Sequence, residues 1–151
     1  IIDAKKQIKS SKPMKVVESK FDPQAKCLEL SKNIKLIYRQ NLMAPTFAFH
    51  CYMKGGLAQE NQLNNGVYNL IAKNLTYGYK GTTYEELKQD LEIKSSYING
   101  FAGKNAYGMT LHGLTEHNKS LFNHFFNILL KPTFPQKYFS VEKELLGRAL
   151  H

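Results

Sequence analysis

Residues 46–53 read TFAFHCYM and alternate strictly. Phe47, Phe49, Cys51 and Met53 fall on one side of an extended chain; Ala48, His50 and Tyr52 fall on the other. A period of two fits a strand with one buried face and rejects a helix, whose faces repeat about every 3.6 residues. Gly55-Gly56 stops the run, a polar loop extends from Gln59 to Asn65, and the period then changes. From Gly66 to Leu75, Val67, Leu70, Ile71 and Asn74 or Leu75 share a helical stripe. A half-buried strand followed by an amphipathic helix constrains the fold strongly, because each has an apolar face that the other can cover.

The same two patterns recur on either side. Lys26–Leu30 and Ile34–Arg39 read as strands joined by Ser31-Lys32-Asn33, with Asn33 suited to a positive φ. Thr82 and Thr83 precede Glu85 and Glu86 at capping-box spacing, and the helix they open buries Tyr84, Leu87 and Leu91. Ser95–Phe101 and Ala106–Leu114 form a hairpin around residues 102–104. Leu121, Phe122, Phe125, Ile128 and Leu129 give residues 118–130 a broad apolar face, which Pro132 ends. Pro135 suits the start of a last helix from Gln136, with Tyr138, Phe139, Leu145, Leu146 and Ala149 inward. The order is β-β-β-α-α-β-β-α-α, which predicts an α+β fold: a mainly antiparallel sheet with helices packed on one face.

A chain of 151 residues that is 42% apolar can bury one core. No apolar run reaches the roughly 18 residues of a membrane span. Cys27 and Cys51 are too few for a disulfide framework and read as buried free thiols, near neighbours if they share a sheet. The formal charge of +9 is uneven. Residues 1–40 hold ten Lys/Arg against four Asp/Glu, and residues 41–151 hold eleven against eight. Residues 1–25, with Lys5, Lys6, Lys9, Lys12, Lys15 and Lys20 among Ser10, Ser11 and Pro13, read as a basic linker-like lead-in. The ordered domain is expected over residues 26–151. A basic chain invites a nucleic-acid reading. No RNP-like aromatic strand, helix-turn-helix or zinc-finger spacing follows, so no nucleic-acid partner is expected.

Residue chemistry alone yields no active site. None of His50, His112, His117, His124 and His151 pairs at the i, i+4 spacing of a helical zinc site. His50 and His112 sit on strands opposite the more apolar face, and His117 and His124 read as surface imidazoles. Neither cysteine has a basic neighbourhood or a C-x-x-C companion. Glu142 and Glu144 fall on different faces of the last helix, which suggests no catalytic pair.

A series of landmarks is more specific. LELSKNIKLIYRQN, FAFHCYMKGGLAQENQLNNG, YKGTTYEELKQDLE, YINGFAGKNAYGMTLHGLTEHNKSLFNHFFNILLKPTF and YFSVEKELLGRAL occur in that order. From Leu28 to Leu150 the chain resembles a domain of the insulinase/pitrilysin family of zinc metallopeptidases. Active members carry H-x-x-E-H on the helix that here starts at Gly66, with two zinc ligands and a general base. Those positions fall on Asn69, Ala72 and Lys73. The third ligand, a Glu from a later helix, has no counterpart in the acid-free Gly147-Arg148-Ala149-Leu150. The resemblance therefore implies a degenerate, non-catalytic domain with no zinc or other cofactor of its own. FSVEKELLGRALH and AYGMTLHGLT look like the third domain of the large members, truncated at its C-terminus.

The implied function is to help enclose a peptide-degradation chamber, with zinc in the parent's catalytic domain. The partner would be the catalytic half of the same polypeptide or, alternatively, an active subunit paired with a stand-alone inactive one. A basic nucleic-acid-binding domain is the third and least favoured reading. Compartment stays open between periplasm and cytoplasm.

Overall fold

The computed structural model describes residues 16–18 and 22–149. The lead-in expected over residues 1–25 lies largely outside them, as do Leu150 and His151. The fold is α+β, and the expected element order is found with one addition, a short strand β1 (Val16–Glu18) inside the supposed linker. The strands form two three-stranded antiparallel sheets rather than one. The chain divides into two compact units, residues 1–44 and 45–151, so the first hairpin groups with the residues before it.

The first unit holds β1, β2 (Ala25–Ser31) and β3 (Ile34–Arg39), in the order β1-β2-β3. Val17 pairs with Cys27, and Cys27 with Ile37. Asn33 does not take the expected positive φ. A register shift between Glu29 and Ser31 absorbs the reversal instead, so the turn needs no left-handed residue. The Arg39 guanidinium ties the end of β3 to the turn before β2, meeting Gln24 Oε1 at 2.8 and 3.2 Å and Asp22 at 3.4 Å. Ala25 is the only buried side chain of this unit among the described residues.

The second unit holds the core. Its sheet runs β4-β6-β5, with β4 Thr46–Lys54, β5 Tyr97–Ala102 and β6 Ala106–Leu114. β4 and β6 pair without a break from Thr46↔Leu114 to Lys54↔Ala106. Four helices accompany it: α1 (Val67–Leu75), α2 (Tyr84–Ile93), α3 (Asn118–Leu130) and α4 (Gln136–Ala149). Phe47, Phe49, Cys51 and Met53 join Met109, Leu111 and Ile98 on one face of the sheet. Against them pack Leu121, Phe125 and Ile128 of α3 and Leu87 and Leu91 of α2. Phe49 meets Phe125 edge to face at 5.1 Å. Each such side chain contributes about 2 kcal/mol of burial. The helices thus cover one face, as the alternation in β4 requires.

Two local devices set α1. Gly66 opens the helix at φ 87°, and Glu60 caps it, one carboxylate oxygen accepting from the Gly66 N–H at 2.8 Å and the other from the Tyr68 N–H at 2.9 Å. Gly100 lets the helix onto the edge strand: a Cβ there would lie 1.9 Å from the Ala72 carbonyl oxygen. α2 begins with the expected capping box between Thr83 and Glu86.

Three expectations need correction. Cys27 and Cys51 belong to different sheets, and both are half-buried free thiols. Leu145, expected inward, is 49% exposed, while Glu142 on the same helix is buried. His124 is not a surface imidazole; its ring nitrogens lie 2.7 Å from Asp90 Oδ2 and 3.0 Å from Tyr79 Oη.

Candidate functional site

Asn69, Ala72 and Lys73 all lie on α1, the helix packed on edge strand β5. Ala72 is buried at 1% exposure, where the backbone of Gly100 crosses it. Asn69 is half-buried. The side chain of Lys73 is half-exposed, and its Nζ donates to Glu142 Oε2 at 3.0 Å. The Tyr77 hydroxyl donates to the other oxygen, Oε1, at 2.5 Å. Glu142 is only 7% exposed, so α4 delivers a buried carboxylate whose two oxygens are both satisfied from residues 73 and 77.

The electrostatics follow from these contacts. Burial alone would raise the Glu142 carboxyl, but the hydrogen bonds from Tyr77 and Lys73 outweigh it and hold the group below its ordinary value. Burial, with the Glu142 carboxylate beside it, pushes the Tyr77 phenol up. Tyr77 also stacks on Tyr138 at 4.5 Å, and Tyr84 meets both rings edge-on. The Tyr138 hydroxyl donates to Glu85. Tyrosines that look scattered in sequence thus join α2 and α4 around the end of α1.

Lys73, Tyr77, Tyr84 and Glu142 line an open cleft of about 600 Å³ together with Leu87, Leu91 and the outer edge of β5 at residues 97–100. A zinc ion does not fit these residues. Asn69 is a poor ligand, Ala72 offers no base, and an ammonium already occupies the carboxylate. Among the described residues, no three His, Cys, Asp or Glu side chains gather as a metal site.

A second polar cluster lies outside the cleft lining. Asp90 of α2 receives the Lys94 ammonium on one oxygen and the His124 ring on the other. The hydrogen bond from Lys94 chiefly lowers the Asp90 carboxyl, burial opposes it, and His124 adds to the lowering. With Nε2–H facing Asp90, His124 Nδ1 accepts from the Tyr79 hydroxyl. Tyr79 is 8% exposed, so this Asp-His-Tyr chain clamps α2 to α3 and presents no nucleophile to solvent.

From the sequence Glu142 reads only as one of two acids on different faces of the last helix, and its meeting with Lys73, 69 residues away, is not legible there. The available signal was an acid on the apolar side of α4, between Phe139 and Leu146. Fold and site define an α+β domain whose helix–edge-strand cleft holds an ion pair and no metal-ligand set. No family model and no curated protein matches the chain. No helix among the described residues is long and apolar enough to cross a membrane.

Proposed function

We propose that this chain is a non-catalytic domain of an insulinase/pitrilysin-like zinc metalloendopeptidase. It would help to form the chamber that encloses peptide substrates, while zinc and the catalytic water belong to the catalytic domain of the parent. Its partner is the catalytic half of the same polypeptide or an active partner subunit. The observation that carries the reading is the pair Lys73–Glu142. The resemblance assigns a zinc-ligating His to position 73 and a Glu ligand to a later helix. In this chain an ammonium stands at the first and a buried carboxylate on the second, and they bind each other. A positive charge at 73 is then the substitute for the cation, and the carboxylate persists as its counter-ion.

The test restores the ligands. The double variant Asn69→His, Lys73→His puts imidazoles at i, i+4 on α1, the second at the position that meets Glu142, to offer a His₂Glu set suited to zinc. Ala72 stays, since a larger side chain has no room at 1% exposure. The unaltered chain is expected to hold no stoichiometric zinc and to show no peptidase activity. The double variant is expected to hold one zinc per chain by elemental analysis and to lose it when Glu142→Gln is added. A double variant that binds no zinc, or binds it equally without Glu142, overturns the reading.

A further inference from the structure

We propose that the face of the β4-β6-β5 sheet opposite the core is a binding platform for single-stranded nucleic acid. The sheet register sets His112 of β6 beside Tyr97 of β5, and their rings stack at 4.7 Å with 14° between planes. Tyr52 and Phe101 flank Gly108 from the two edge strands and meet over it at 5.2 Å. His50 links the two pairs, 6.2 Å from Tyr52 and 5.5 Å from His112. Five rings thus form one continuous track across three strands, on the face opposite the core. Tyr52 is 68% exposed and Tyr97 48%. His50 is exposed as well, and Phe101 and His112 are half-buried. The exposed rings add little to the core beneath, but they offer flat π-surfaces on which bases stack.

The charge around the track selects the occupant. None of the three strands carries Asp or Glu. Lys54 continues the Tyr52 side of β4, and Lys104 sits in the β5–β6 turn at the same end. No ion pair engages either lysine among the described residues. Unpaired ammonium groups beside exposed rings suit a ligand with both phosphates and free base faces. A duplex hides its base faces, and an acidic peptide would use the lysines but not the rings. The sequence shows no aromatic RNP-like strand because the rings lie at 50, 52, 97, 101 and 112. Only the pairing of β4 and β5 with β6 assembles them.

The experiment is fluorescence anisotropy of the full chain with a labelled oligouridylate of about a dozen nucleotides. Parallel titrations use a duplex of equal length and a poly-glutamate peptide. Tyr52→Ala is expected to weaken oligouridylate binding roughly tenfold, and Tyr52→Phe to restore it, in line with the stacking worth of one base. Lys54→Gln is expected to flatten the dependence of log affinity on log salt by about one. The duplex is expected to bind at least several-fold more weakly. Absent oligouridylate binding overturns the proposal. So does binding unchanged in Tyr52→Ala, or equal for the duplex, since both trace to the lysine-rich first 40 residues. Poly-glutamate binding that falls equally in Tyr52→Ala overturns it in favour of an acidic peptide.

Discussion

Glu142 is buried and still charged, because Tyr77 and Lys73 together pull its carboxyl down further than burial pushes it up. A carboxyl lowered on folding adds stability above its unfolded pKa, about 4.3, and loses it as pH falls from there through the folded value. Glu142→Gln is therefore expected to lower the stability of the second unit at pH 7 by about 1–3 kcal/mol in urea titrations. The gap to the unaltered chain should narrow below about pH 4. Lys73→Met should cost less, since a half-exposed ammonium is partly screened and Tyr77 still serves the carboxylate. A gap between Glu142→Gln and the unaltered chain that stays constant from pH 7 to pH 3 would mean that Glu142 folds uncharged.

At the scale of elements, α1 owes its position to Gly100 more than to its own stripe. Val67 and Ile71 are only half-buried, while Ala72 lies against the Gly100 backbone. Gly100→Ala would set a methyl group 1.9 Å from a carbonyl oxygen, a clash that no rotamer relieves. The expected cost is about 3 kcal/mol, read as a lower urea midpoint. Gly147 of α4 is the control, because a Cβ there meets nothing within 4 Å. Gly147→Ala should stabilise by about 0.5–1 kcal/mol through helix propensity alone. The helices and strands were legible because their periods are clean: residues 46–53 alternate, and residues 118–130 carry apolar groups at helical spacing. The first hairpin was half legible. Its strands fall where the sequence places them, but its bulge at Glu29 and Ser31 depends on backbone pairing that no residue type announces.

At the scale of the molecule, the buried apolar cluster lies wholly within residues 45–151. That segment expressed alone is expected to show helical circular dichroism and to lose it in one cooperative thermal transition. A non-cooperative melt would mean that residues 1–44 supply part of its core. Single-sheet membership for all strands was the natural reading of consecutive hairpins, yet hydrogen-bond partners divide them into two sheets. Alternation reports which face of a strand is buried and is silent on which strand lies beside it.

The sequence by itself determined the class of fold and the element order, because period and residue type are local properties. Tertiary structure alone decided that Lys73 meets Glu142, that His124 joins Asp90 to Tyr79, and that five rings share one face of the sheet. Those juxtapositions join residues far apart in the chain. They exist only once burial and backbone pairing have set which helix lies on which strand.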